Sequence, residues 1–230
     1  MKQFRIYHIL LLAAVALGMA GCETDNMDAP NCHVHGYMSY NGNPIGVRGS
    51  GQGNQTNGSV QIELWQSGFG KEAALNVNVA QDGSFSTYIY GGDVRIVTKS
   101  GVGPWNDADT LRLSVKGDTE VNYEVKPFFT ISDVDYSFDA ADSLLTASFY
   151  VTQVDEEATV RSMGLLVNNT QFVDLAYNKA TSTGVNQIGK VSFKLDCRQL
   201  ASCKSLYARV FVRSSKSNDA VYSTTPYKVW

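Results

Sequence analysis

The chain has 230 residues, of which 43% are hydrophobic, 18% are charged and five are proline. That composition excludes an intrinsically disordered chain and the collagen-like or Pro-rich low-complexity classes, and the length suits one large or two small domains. Nineteen Lys and Arg stand against 22 Asp and Glu, a formal net charge of −3, so no basic face is on offer to a phosphate backbone and nucleic acid is excluded as a partner.

The first residues carry Lys2 and Arg5, then the apolar run Ile9–Leu17. A charged start followed by an apolar stretch too short to span a bilayer reads as an export signal. The run closes on Met19-Ala20-Gly21-Cys22, which resembles the bacterial lipoprotein signal. The resemblance implies cleavage after Gly21, a lipid on Cys22 and attachment to the outer membrane. Removal of residues 1–21 leaves 17 basic and 22 acidic residues, a net charge of −5. Residues 22–31 are polar and acidic with no apolar period, the pattern of a flexible tether. Acids directly after the lipid-bearing cysteine also resemble the surface-export signal of Bacteroidetes lipoproteins.

From Cys32 the pattern alternates with period two. Val34–Tyr40 is a strand candidate that ends at the turn Asn41-Gly42-Asn43-Pro44. Arg48–Ser59 is nearly all Gly, Gln, Asn, Ser and Thr and reads as a loop. Val60–Trp65 alternates, with Val60, Ile62 and Leu64 on one face and Trp65 on the other. Further strand candidates are Leu75–Val79, Phe85–Tyr90 after the Asp82-Gly83 turn, Val94–Val97, Leu111–Val115 and Val121–Val125. This rhythm predicts an antiparallel β-sandwich over residues 32–126.

Lys126-Pro127 marks a boundary, since proline cannot donate to a central ladder. Beyond it, Phe128–Phe138, Ser143–Val151, Arg161–Val167, Lys190–Leu195, Leu206–Arg213 and Ala220–Trp230 repeat the strand rhythm. Only residues 196–205 suggest a helical turn. The expected fold is therefore all-β, two tandem antiparallel sandwiches over 32–126 and 127–230.

Gly36–Ile45, Val60–Trp65, Asp82-Gly83-Ser84-Phe85 and Gly92 with Val94-Arg95-Ile96 make the first module resemble carboxypeptidase-regulatory-like, transthyretin-like domains. Tyr207, inside Leu206–Val212, is placed like the tyrosine corner of a fibronectin type III or immunoglobulin-like sandwich. Through Pro44–Gly49, Leu64-Trp65-Gln66, Gln81–Phe85 and Gly103-Pro104-Trp105 the whole chain is similar to a two-domain lipoprotein family of Bacteroidetes without an established activity. That resemblance implies a gene neighbourhood of outer-membrane glycan import systems.

Signatures of catalysis are sparse. No Gly-x-Ser-x-Gly elbow, His-Glu-x-x-His pair or phosphate loop occurs, and neither an enzyme nor a cofactor is expected. His33 and His35 share a strand face with Cys32 on the other, and zinc would need further ligands from elsewhere. Asp133, Asp135, Asp139 and Asp142 lack the spacing of a calcium loop. No metal is therefore expected. Cys197 and Cys203, six residues apart, are candidates for a disulfide in an oxidising compartment, with Cys32 a buried thiol.

Aromatic residues are the more informative class. A flat indole offers the C–H face of a sugar an apolar partner, and polar neighbours take the hydroxyls. Trp105 with Asn106 and Asp107 in a loop, and the outward-facing Trp65, are the candidate glycan-binding residues. The plainer alternatives are a loop indole folded over the core and a sheet-end contact. The expected function is non-catalytic glycan binding, or support of an outer-membrane glycan importer, by a surface lipoprotein. The alternative is an adhesion or assembly module that binds another envelope protein.

Overall fold

A computed structural model describes residues 28–49, 59–70, 72–184 and 187–230. The expected export signal, Cys22 and most of the Gly-rich stretch after Arg48 lie outside the described residues. Among the described residues no helix is long and apolar enough to cross a membrane.

The first module is built from β1 (Cys32–Tyr40), β2 (Asn43–Pro44), β3 (Gln61–Gln66), β4 (Ala74–Asn78), β5 (Ser84–Ile89), β6 (Gly92–Thr98), β7 (Leu111–Val115), β8 (Thr119–Glu120) and β9 (Tyr123–Glu124). Two sheets result, one ordered β2-β1-β5 and the other β4-β3-β6-β7. The alternating pattern is honoured. Val34, Ile62, Leu64, Val94 and Ile96 are buried between the sheets, and their odd-numbered neighbours lie on the opposite, half-buried or exposed face. Asn41 and Gly42 take φ of 51° and 75°, and Tyr40 pairs with Asn43, so the Asn-Gly hairpin forms as its chemistry dictates.

The sequence predicts one strand over Val121–Val125. The chain instead makes two short pieces, β8 and β9, both parallel to β1. Close approach explains where they run. A Cβ on Gly36 would lie 1.8 Å from the Val121 carbonyl oxygen, and Val121 N–H donates to His35 O at 2.8 Å. Only a glycine admits the neighbouring backbone there.

The second module comprises β10 (Phe129–Asp139), β11 (Leu144–Gln153), β12 (Val160–Asn168), β13 (Ala180–Gly184), β14 (Gly189–Asp196), β15 (Tyr207–Ser214), β16 (Ala220–Tyr222) and β17 (Tyr227–Lys228). Its sheets run β10-β11-β14 and β13-β12-β15-β16, with β17 on β15, all antiparallel. Tyr207 opens β15, the sixth strand of this module. The helical turn expected near 196–205 is a single 3-10 turn at Arg198–Leu200.

The two modules are not beads on a string. Residues 31–230 form one compact unit, and one buried apolar cluster runs through both, from Val34 and Met38 to Val210 and Val212. Burial of each such side chain stabilises by roughly 1.5–3 kcal/mol. The seam is polar as well as apolar. Tyr222 N–H donates to Gly46 O at 2.9 Å, and a Cβ on Gly46 would lie 2.3 Å from the Tyr222 oxygen. Gly49 N–H donates to Asp174 at 3.1 Å, and Arg48 pairs with Asp219 at 3.1 Å.

Candidate functional site

The sheet β4-β3-β6-β7 turns one face to solvent. Strand parity puts Glu63 and Trp65 of β3, Asp93 and Arg95 of β6, and Arg112 and Ser114 of β7 on it. Trp65 faces outward, as its parity predicts, and is half-buried. Its indole N–H donates to Glu63 Oε2 at 3.2 Å. The Arg95 guanidinium lies 5.6 Å from its ring centroid and pairs with Glu72 at 3.0 Å. A cation over an indole face is attracted by the ring quadrupole, by about 0.5–1 kcal/mol at an exposed site. The ring is thus held from two directions.

Beside it is a shallow cleft of about 520 Å³ lined by Trp65, Ser67, Glu72, Asp93, Arg95 and Arg112, among others. It combines one flat apolar surface with carboxylate acceptors and guanidinium donors.

Trp105 departs from the expectation of a surface contact and follows the alternative, a loop indole folded over the core. Its exposure is 5%, and it belongs to the shared core. The cause is local. Gly103 takes φ of 98°, a conformation glycine adopts without a steric penalty. The chain therefore turns back, and a Cβ on Gly103 would lie 2.4 Å from Trp105 Cε2. Trp105 bridges to Pro127, and its Nε1 is buried with no hydrogen-bond partner. Asn106 is committed elsewhere, since its Nδ2 donates to Asp155 Oδ2 of the second module at 2.9 Å. Asp107 is exposed, while the indole two residues before it points inward. The Gly103–Asn106 loop is a latch between modules, and the buried Trp105 ring offers no exposed face for a sugar to stack on.

Cys197 and Cys203 do not form the candidate bridge; both are free thiols, as is Cys32. The Cys197 thiol is buried and donates to Leu195 O at 3.6 Å, and burial pushes its pKa up. Cys203 sits past the 3-10 turn, where its carbonyl accepts Trp230 Nε1 at 3.0 Å.

A larger groove of about 1160 Å³ opens along the seam, between the Asn41–Gly46 hairpin and the β16–β17 segment. Its polar lining is mostly hydroxyl and amide, including Asn43, Thr130, Gln153 and Thr225. The sequence offered no signal for it, because its walls come from four separate segments, residues 40–46, 130–136, 152–154 and 221–228, that only the fold brings together. On the opposite sheet of the first module, Asp118 joins His33 and His35, a neighbour that strand parity alone could not supply.

Residues 32–126 match the family model of the DUF3823 N-terminal domain, and residues 129–226 match DUF3823_C, both of unknown function. The chain belongs to the DUF3823 family. A DUF3823 protein from Parabacteroides merdae is 33% identical with a TM-score of 0.78, covering 88% of this chain and 100% of its own. Another from Bacteroides ovatus is 27% identical with a TM-score of 0.75, covering 86% and 98%. A Bacteroides uniformis structure named "putative carbohydrate binding protein" is 12% identical with a TM-score of 0.67, covering 87% and 99%, a likeness of fold alone. No curated protein matches the chain. The segments Pro44–Gly49, Gln81–Phe85 and Gly103–Trp105 lie at or beside the seam, where Gly46, Val47, Gln81 and Gly103 each bond to the second module.

Proposed function

We propose that this DUF3823 protein is a lipid-anchored, non-catalytic surface protein of the outer membrane that binds glycan for an uptake system. The Trp65 shelf carries the reading: a fixed indole beside a cleft whose other walls are carboxylates, guanidinium groups and a serine hydroxyl. Sugar C–H groups stack on such a ring, and planar charged side chains bond paired hydroxyls. The lipoprotein-like Cys22 signal and the carbohydrate-binding description of the Bacteroides uniformis neighbour support the same reading. Affinity electrophoresis of the full chain through gels of neutral and acidic polysaccharides tests it. Retardation by at least one polysaccharide, weakened about tenfold or more in Trp65→Ala at an unchanged melting temperature, is expected; tenfold corresponds to about 1.4 kcal/mol. Migration unaffected by every polysaccharide removes the function, and retardation unchanged in Trp65→Ala removes the site.

One observation favours a second reading, an assembly module for another envelope protein. Phe69, in the bend before β4, and Leu75 of β4 are exposed at 43% and 44%, beside a strand that pairs with β3, and an unpaired strand edge recruits another chain. A stoichiometric partner recovered by crosslinking in intact envelopes, together with no polysaccharide affinity, would favour it.

A further inference from the structure

The face of sheet β2-β1-β5 opposite the core holds a second constellation, independent of the Trp65 shelf. His33 and His35 sit two residues apart on β1, so both project from the same face. Their rings stack with centroids 4.5 Å apart. Asp118 enters from the turn before β8, whose parallel register beside β1 is fixed at Val34–Thr119 and His35–Glu120. One carboxylate oxygen, Asp118 Oδ1, lies 2.9 Å from His33 Nδ1 and 3.4 Å from His35 Nε2. Among the described residues this is the group of His, Cys, Asp or Glu whose ligand atoms converge, all within 4.8 Å of one another.

We infer that His33, His35 and Asp118 form a binding site for a divalent transition-metal ion of the zinc class. Spacing is the first argument. Ligands about 2.0–2.1 Å from a tetrahedral zinc stand about 3.4 Å from one another, and the observed separations need only small side-chain rotations to reach that. Nδ1 of His33 and Nε2 of His35 both converge on Asp118 Oδ1, so one ion between them reaches all three groups. Ligand chemistry is the second argument. Two imidazole nitrogens and a carboxylate suit zinc, copper, nickel or cobalt, whereas calcium and magnesium demand oxygen ligands.

Support from behind the ligands is the third. With His33 ligating through Nδ1, its Nε2–H is left to donate, and Ser86 Oγ accepts at 2.8 Å. Such a partner fixes the tautomer and the ring orientation of a metal ligand. Tyr88 stacks on the other face of the same ring, 4.8 Å between centroids. The two histidines lie on a strand paired on both sides, by β5 and by β8, so the site is built before any ion arrives. Three protein ligands leave a coordination position open. Glu120, exposed and in register beside His35, is the acid nearest to filling it along the chain.

Calorimetric titration of the metal-stripped full chain with zinc, and separately with calcium, tests the site. One zinc per chain is expected, with no calcium heat and a melting temperature that rises with zinc. His33→Ala/His35→Ala should abolish the zinc heat, and Asp118→Asn and Ser86→Ala should each weaken binding about tenfold or more. All four side chains are at least partly exposed, so the variants should melt without metal within a few degrees of the parent, which verifies that they fold. Absence of zinc uptake by the parent overturns the proposal. Undiminished uptake by the double histidine variant also overturns it.

Discussion

Arg209 of the second module donates from Nη2 to the carbonyl oxygen of Gln81 in the first, at 2.9 Å. The same guanidinium donates to Val47 O at 3.0 Å, to Val173 O at 3.3 Å and, through Nε, to Ser223 O at 2.8 Å. It is wholly buried and lies 4.8 Å from the Tyr222 ring centroid. Burial pushes its pKa down to about 10, so it stays charged at neutral pH. A buried cation is tolerated only when its donors are satisfied, and here carbonyl oxygens from both modules satisfy them.

Replacement of Arg209 by Ala removes a donor from four carbonyl oxygens and leaves a cavity. The expected loss is about 3 kcal/mol or more, read as a lower urea midpoint. Arg209→Lys should recover only part of it, because an ammonium lacks the planar fork that reaches several carbonyls at once. A loss below about 1 kcal/mol in Arg209→Ala would show that the seam does not depend on this residue.

The Gly103–Trp105 latch predicts a graded series. Gly103→Ala must hold a side chain at φ 98° and place a Cβ 2.4 Å from the indole, so it should destabilise by at least about 1–3 kcal/mol. Trp105→Ala should cost about 3–5 kcal/mol through the cavity. Trp105→Phe should cost less, because it also removes the unpartnered buried N–H. Thermal unfolding of the three variants checks the order; a Phe variant no better than Ala would assign the role of Trp105 to something other than packing.

Asp155 links the modules through Asn106 and also meets Lys216 at 3.1 Å. The hydrogen bond from Asn106, aided by Lys216, holds its carboxyl down to about 2 from an ordinary 3.8. A depressed carboxyl adds stability that is complete above its unfolded pKa and disappears as pH falls through its folded one. The window is therefore about pH 4 to 2. Urea midpoints measured across it should fall more steeply for the parent than for Asp155→Asn or Asn106→Ala. Parallel slopes in all three would refute the coupling.

The alternation of Val60, Ile62 and Leu64 made β3 and the outward Trp65 legible in the sequence, because strand parity is a local rule. The Asn41-Gly42 hairpin was legible for the same reason. Trp105 was not. Polar neighbours placed it in a loop, but the fate of its ring depends on the φ of Gly103 and on a second module that no local rule can position. The same holds for Asp118, brought to His33 and His35 by a parallel pairing where an antiparallel sandwich was expected. Gly46 and Gln81 could be recognised as motif residues, but their purpose could not, because Tyr222 and Arg209 lie far along the chain. Cys197 and Cys203 show the limit of spacing. Six residues allow a bridge, but the buried thiol at Leu195 is turned into the core.

The shared core and the Arg209 seam bear on how mechanical load would travel through the molecule. Bonds from Gly46, Val47, Gln81, Gly103 and Asn106 tie the two sandwiches along the junction, so Lys126-Pro127 is a weld rather than a swivel. A pull on one end reaches the other as rigid rotation, and the Trp65 and His33 faces would tilt together like two sides of one blade. Cutting the gene at that dipeptide would expose a raw apolar flank on each fragment.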